Sequence, residues 1–210
     1  NLEVYKGEVL GLFGLMGSGR SELARMIFGI DPYSRGEVWL ENQKLGQSTK
    51  AAIQNNMAFV TENRREEGLM MEATITNNLA LVSVDDFART PLRVVDESAL
   101  VATSREVSSN LRVKASDITR QAAKSLSGGN QQKVVIGKWL MSKPKLFILD
   151  EPTRGVDVGA KYEIYSIIHG LAKAGNGVLM ISSEVEELIG LCDRILVMSQ
   201  GELVGEFAEK

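Results

Sequence analysis

The segment that decides the fold is Gly14-Leu-Met-Gly-Ser-Gly-Arg-Ser21. It follows the apolar run Val9–Phe13, which predicts a buried strand, and it leads into Arg20–Phe28, where the pattern predicts a helix. Glycines in such a turn let successive backbone N–H groups face a phosphate without Cβ clashes, and a helix N-terminus adds partial positive charge. The spacing matches a phosphate loop, except that Arg20 stands where lysine is expected. Taken alone, the segment is also compatible with an ordinary glycine-rich strand-to-helix turn.

Short apolar runs alternate with helical patterns along much of the chain, which predicts an α/β fold. Strands are predicted at 36–41, 57–61, 145–149 and 178–182, helices at 158–174 and 184–191, and a terminal hairpin at 194–198 and 202–207. Residues 73–143 carry few strand signals, and their apolar positions recur at helical spacing. We therefore predict one domain over 1–210, with an α/β core at 1–72 and 144–210 and a mostly helical subdomain at 73–143.

Composition excludes several classes of protein. The 210 residues carry 24 Lys and Arg against 27 Asp and Glu, a net charge of −3, whereas dedicated nucleic-acid binders usually have a basic excess. A single cysteine, Cys192, excludes an intrachain disulfide and a cysteine-paired zinc site. Apolar runs such as 9–13 and 146–149 are far shorter than the roughly 20 residues that span a bilayer. We expect a soluble, reduced, intracellular domain that is part of a longer polypeptide.

Two carboxylates follow the predicted strand at 145–149. Asp150 and Glu151 would lie at the carboxyl edge of the sheet, where α/β proteins bind their ligands. Beside a phosphate loop, Asp150 is suited to holding Mg²⁺ and Glu151 to polarising an attacking water as a general base. A strand that simply enters a loop is the alternative interpretation.

The third informative segment is Leu126-Ser-Gly-Gly-Asn-Gln-Gln-Lys133. Ser127 is a favourable N-cap for a helix that continues to about Leu140. The two glycines leave the backbone bare at the helix start, which again suits a phosphate. A capped helix after a flexible turn is the structural alternative.

Together, 14–21, 126–132 and 147–151 resemble the nucleotide-binding cassette of ABC transporters, and the resemblance covers essentially the whole chain. Five runs are similar to the C-terminal, second cassette of bacterial ribose-, galactose- and xylose-type importers, in which one polypeptide carries two tandem cassettes: 19–23, 60–64, 126–134, 150–161 and 181–184. The resemblance implies an α/β P-loop NTPase three-layer core of ABC ATPase type, with a mostly helical subdomain and a partial antiparallel β-subdomain.

The resemblance also implies a role for each motif residue. ATP phosphates would be bound by Gly14, Gly17, Ser18, Gly19, Arg20, Ser21, Glu22 and Ser183. Mg²⁺ would be held by Ser21, Glu62 and Asp150, with Glu151 as the catalytic base. The segment around the two glycines would complete the nucleotide site of an opposing cassette, through Ser127, Gly128, Gly129, Gln132 and Asp157.

Three residues depart from the family pattern. Arg20 replaces a lysine, Glu62 replaces a glutamine beside the magnesium ion, and Ser183 replaces a histidine that contacts the γ-phosphate. A planar guanidinium is not equivalent to a compact ammonium. The three changes cluster where the γ-phosphate would lie, so we expect a site that binds nucleotide and cleaves it poorly.

By resemblance, the function is that of the ATP-binding, ATP-hydrolysing domain of a bacterial sugar importer. Its partners would be a second cassette in the same polypeptide and transmembrane permease subunits, at the cytoplasmic face of the inner membrane. No nucleic acid and no membrane span of its own are expected. A non-catalytic regulatory cassette is the main alternative. An ABC-type ATPase of DNA repair is disfavoured because 73–143 is too short for long heptad arms.

Overall fold

The computed structural model describes residues 1–88 and 94–208. Its strands are β1 (Val9–Phe13), β2 (Trp39–Leu40), β3 (Gln43–Lys44), β4 (Met57–Val60), β5 (Leu146–Asp150), β6 (Gly177–Ser182), β7 (Arg194–Ser199) and β8 (Glu202–Ala208). Its α-helices are α1 (Arg20–Phe28), α2 (Thr49–Gln54), α3 (Ile75–Ala80), α4 (Glu97–Asn110), α5 (Gly128–Leu140), α6 (Val158–Lys173) and α7 (Val185–Leu191). One turn of π-helix lies at Arg64–Gly68.

The main sheet has the strand order β4-β5-β6-β1-β7-β8. All neighbouring pairs are parallel except β7 and β8, which form the terminal antiparallel hairpin. The inner strands are buried on both faces, as parallel strands covered by helices usually are; every residue of β6 is buried. The carboxyl ends of β1, β4, β5 and β6 therefore meet at one edge of the sheet, and the α/β prediction is confirmed.

The chain divides into two compact units. The first comprises Asn1–Glu62, Pro144–Pro152 and the chain from Tyr165 onward, and it holds both sheets. The second comprises Asn63–Lys143 and Thr153–Ile164. Residues 63–72 belong to the second unit because the π-helical turn packs on α5: a Cβ on Gly68 would lie 3.2 Å from a methyl group of Val135.

The second unit is mostly helical, and it includes residues 73–143. α5 is its central helix and is buried along most of its length. A Cβ on Gly137 of α5 would lie 2.7 Å from Leu79 of α3 and 2.9 Å from Leu111, which follows α4. This glycine therefore lets three helical segments approach closely.

The antiparallel β-subdomain is smaller than the pattern at 36–41 suggested. Only Trp39 and Leu40 are in β2, which pairs with the two residues of β3. The strand ends at once because Glu41 takes a positive φ of 53° and begins the turn. Within the described residues 1–88 and 94–208, no helix combines the length and the apolar character needed to cross a bilayer.

Candidate nucleotide site

The glycine-rich loop joins β1 to α1 and is shaped by steric limits. A Cβ on Gly14 would lie 2.4 Å from Ser18 Oγ and 2.6 Å from the Met198 carbonyl oxygen, so only glycine fits there. Gly17 and Gly19 have φ values of 79° and 96°, which other residues rarely adopt. The loop thus has the bare, turned backbone that a phosphate-binding loop requires.

Arg20, at the start of α1, is buried and points to a carboxylate. Its side chain is 9% exposed, and its Nη2 lies 3.4 Å from Oε1 of Glu151. The other terminal nitrogen, Nη1, is buried without a hydrogen-bond partner in the protein. A donor of this kind can bind an added anion, because an unmet buried N–H is costly.

Asp150 ends β5 and is 3% exposed. Burial raises the pKa of its carboxyl to about 6, opposed by a hydrogen bond with Ser21 of α1. Its Oδ1 atom has no partner in the protein. A buried carboxylate oxygen left open beside a serine hydroxyl fits Mg²⁺, which usually takes one or two protein ligands along with phosphates and water.

Glu151 is also held by the segment of the chain that follows β6. The N–H of Ser183, just after β6, donates to Glu151 Oε1 at 2.8 Å. Glu151 itself has a φ of 47°, a strained value for a non-glycine residue, and its N–H donates to the Ile181 carbonyl. The carboxylate is therefore fixed between Arg20 and the end of β6.

The third predicted metal ligand, Glu62, follows β4 and is half-buried. Since Val60 of β4 pairs with Leu149 of β5, Glu62 leaves the same sheet edge as Asp150. Over the described parts of the chain, 1–88 and 94–208, no three His, Cys, Asp or Glu side chains gather to hold a metal. The Asp150 and Ser21 donors suit a metal that arrives with phosphate.

The second unit brings the other predicted residues together. Ser127 is the N-cap of α5, as predicted, but its hydroxyl accepts from Asn130 Nδ2 at 2.9 Å and makes no cap hydrogen bond to the backbone. The first N–H groups of α5 are thus not satisfied by this side chain. Ser127 is exposed, whereas Gln132 is 2% exposed, with its Nε2 atom lacking a partner.

The two glycines at the start of α5 pack against the chain that leads into α6. A Cβ on Gly128 would lie 3.0 Å from the Gly155 carbonyl oxygen, and one on Gly129 would lie 2.4 Å from Ala160 Cβ. Asp157 is exposed and accepts from the Ala160 N–H at 3.0 Å, so it caps the start of α6. This packing gives both glycines a steric role that the sequence pattern did not reveal.

Sequence reasoning missed the residues that fix Ser183. Glu187 of α7 accepts hydrogen bonds from Tyr165 Oη at 2.7 Å and from Ser182 Oγ at 3.2 Å. Ser182 Oγ in turn accepts from the Glu184 N–H at 3.0 Å. The end of β6 is thereby anchored on both sides of Ser183. The only signal for this contact in the sequence was a glutamate, Glu187, in the first turn of a predicted helix. Such a residue cannot be told from an ordinary solvent-facing charge.

Several known proteins are similar to this chain in sequence. Residues 1–154 match the profile of a family described as ABC transporter. The chain is 46% identical over 213 residues to the L-arabinose transport ATP-binding protein AraG of Geobacillus stearothermophilus, covering 100% of this chain and 41% of that protein. It is 47% identical over 203 residues to the xylose import ATP-binding protein XylG of Geobacillus kaustophilus, covering 96% and 40%. It is 45% identical over 207 residues to the ribose import ATP-binding protein RbsA 1 of Rubrobacter xylanophilus, covering 98% and 41%. The chain thus spans about two fifths of the length of these relatives.

Solved structures share the fold. A crystal structure of a nucleotide-free ATP-binding cassette from an ABC transporter has a TM-score of 0.85 to this chain at 24% identity, covering 100% of this chain and 83% of that one. The dimeric structure of a bacterial ABC transporter cassette has a TM-score of 0.83 at 23% identity, covering 99% and 88%. The sequence matches and the fold agree: this chain belongs to the ABC transporter family, as an ATP-binding cassette homologous to ribose, xylose and arabinose import ATP-binding proteins.

Proposed function

We propose that this chain is the ATP-binding cassette of a bacterial sugar importer, coupling ATP binding and hydrolysis to transport. The observation that carries nucleotide binding is the open Asp150 Oδ1 atom beside Ser21, at the edge where the glycine-rich loop leaves β1. The sugar-import assignment is supported by relatives named for arabinose, xylose and ribose.

Within this proposal, the glycine-rich loop and the start of α1 bind the ATP phosphates. The contacting residues are Gly14, Gly17, Ser18, Gly19, Arg20, Ser21, Glu22 and Ser183. Ser21 and Asp150 would hold Mg²⁺, with Glu62 on the same sheet edge as the third ligand. The ion, when bound with the nucleotide, neutralises charge on the phosphate oxygens.

We further propose that this phosphate site is degenerate. Glu151 is the residue placed to act as general base, and its Oε1 atom already contacts the Arg20 guanidinium and the Ser183 N–H. A carboxylate accepts more than one hydrogen bond, so these two contacts orient Glu151 without removing it as a base. The Arg20 guanidinium contacts Glu151 through Nη2, which leaves Nη1 as its donor for a phosphate. Together with Glu62 and Ser183 in place of the family's glutamine and histidine, the Arg20–Glu151 pair favours nucleotide retention over cleavage, and it keeps a regulatory, non-catalytic cassette as the second candidate.

The segment at the start of α5 would act on nucleotide held by an opposing cassette. Ser127 and Asp157 are exposed, and the first N–H groups of α5 lack a side-chain cap. A helix N-terminus in this state binds phosphate well. We assign Ser127, Gly128, Gly129, Gln132 and Asp157 to this role, with the buried Gly129 and Gln132 supporting the segment from within.

Two kinds of partner belong to this proposal. We infer a second cassette in the same polypeptide, since the chain covers only about two fifths of its relatives. We also infer transmembrane permease subunits, which would place the cassette at the cytoplasmic face of the inner membrane as a peripheral component.

The test replaces Ser127 by arginine in the intact protein and measures ATP hydrolysis. A large cation at this position blocks the approach of an opposing nucleotide, so we expect a loss of roughly 100-fold or more, as for other lost transition-state contacts. Ser109→Arg is the matched control, because Ser109 is exposed on α4 away from these motifs. Wild-type hydrolysis by the Ser127→Arg protein would refute the proposed role of the segment in trans.

A further inference from the structure

Arg64, which no part of the proposed function uses, joins three segments of the second unit. It begins the π-helical turn Arg64–Gly68. Its Nη1 donates to the Arg154 carbonyl oxygen at 2.7 Å, and its Nη2 donates to the Gly155 carbonyl oxygen at 3.0 Å. The two carbonyls belong to consecutive residues, so the planar guanidinium acts as a fork that bridges two adjacent peptide units.

The same guanidinium lies against the start of α5. A Cβ on Gly128 would lie 2.8 Å from Arg64 Nη2, closer than real Cβ contacts allow. The absence of a side chain at Gly128 therefore makes room for Arg64. Gly155, the second acceptor, has a φ of 64°, a value that residues with a side chain rarely adopt.

The turn that carries Arg64 is itself fastened to α5. Lys138 Nζ donates to the Gly68 carbonyl oxygen at 2.8 Å, and Arg65 Nε donates to Gln131 Oε1 at 3.4 Å. The turn that carries Arg64 is thus held by α5, and the Arg64 guanidinium lies at the N-terminus of that same helix. Arg64 thus links the start of α5 to the loop before α6, in addition to the direct packing of Gly128 and Gly129.

We propose that Arg64 is a positioning residue that holds Ser127 and Gly128 in register with the loop bearing Asp157, so that both elements meet an opposing nucleotide together. This inference rests on the proposed role of these elements in trans. The fork requires a guanidinium: a lysine ammonium is a point donor on a flexible stem and cannot bridge two carbonyls with the same rigidity.

The experiment measures kcat and KM for ATP in the intact protein with Arg64→Lys and Arg64→Ala. We expect both to lower kcat about tenfold, with KM and the thermal unfolding midpoint close to the wild-type values. Guanidinium chloride at millimolar concentration should restore part of the kcat of Arg64→Ala, because the free cation can occupy the vacated fork. Sodium chloride at equal ionic strength should not. Arg120→Ala is the matched control, since the Arg120 side chain is 89% exposed and its contact with Asp117 is long, 3.8 Å.

The outcomes separate this inference from the function on which it rests. If Ser127→Arg abolishes hydrolysis while Arg64→Lys keeps the wild-type kcat, the segment acts in trans and Arg64 does not position it. A loss in Arg64→Ala that guanidinium fails to restore would also overturn the positioning role, since packing alone would then explain it. If Ser127→Arg remains active, the proposed function itself fails, whatever Arg64 does.

Discussion

Arg20 Nη2 lies 3.4 Å from Glu151 Oε1, and the two side chains are 9% and 10% exposed. The pair joins the residue that departs from the phosphate-loop pattern to the residue placed as general base. The same carboxylate oxygen accepts the Ser183 N–H at 2.8 Å. Two of the three departures, Arg20 and Ser183, therefore converge on one atom.

The first prediction concerns hydrolysis by the purified chain. We expect magnesium-dependent nucleotide binding with negligible turnover, and little gain from Arg20→Lys, because Glu62 and Ser183 would still differ from the family pattern. Phosphate release and nucleotide titration measure the two properties separately, with Glu151→Gln as the catalytically blank control. Clear turnover by the unchanged chain would show that Arg20, Glu62 and Ser183 form a working site, and the degenerate assignment would have to be dropped.

The second prediction concerns glycine packing at the start of α5. Gly129→Ala should destabilise the protein by about 1–3 kcal/mol, the usual cost of overpacking, because the new Cβ would lie 2.4 Å from Ala160 Cβ. Gly170→Ala is the control: it is also helical, nothing lies within 4 Å of its Cβ position, and the change should be neutral or stabilising by up to about 1 kcal/mol. Urea unfolding of both variants gives the comparison. Equal stabilities would contradict the close approach of α5 and α6.

The third prediction concerns the buried Lys138. Burial lowers the pKa of its ammonium to about 8 from 10.5, so between these values the unfolded chain binds more protons than the folded one. Stability should therefore rise with pH, and Lys138 should contribute a gain of about 2 kcal/mol between pH 7.5 and 9.5. Lys138→Met should lose this gain, whereas Lys124→Met, at a half-exposed lysine, should keep it. Urea unfolding at the two pH values tests this, and parallel curves for the wild type and Lys138→Met would contradict it.

The fourth prediction concerns the reactivity of Cys192. Burial raises the pKa of its thiol to about 12 from the ordinary 9.0, so at pH 8 its thiolate fraction is roughly a thousandfold lower. Because the thiolate is the nucleophile, a disulfide reagent should label the native protein far more slowly than the urea-unfolded chain. Native labelling as fast as in urea would show that the thiol is accessible and unperturbed.

Local patterns predicted two elements to the residue and most others to within one or two residues. β1 and α1 begin and end where apolar periodicity placed them, because a run of strand or helix formers bounded by glycines determines its own conformation. The strand predicted at 36–41 is shorter in the structure. A strand needs a partner, and β3 offers only two residues for pairing. The position of β1 between β6 and β7 depends on pairings far apart in the sequence, which periodicity does not encode.

The kind of chemistry available can be read from the chain alone: a glycine-rich turn before a helix, two carboxylates at the end of a buried strand, and a second pair of glycines at a helix start. These features are local, so residue order alone specifies them. The pairing of Arg20 with Glu151, and the hydrogen bonds of Arg64 to Arg154 and Gly155, depend on how the chain packs. These contacts form when strands and helices pack. A charged side chain that becomes buried must bind an opposite charge or a carbonyl, and the fold determines which one lies within reach.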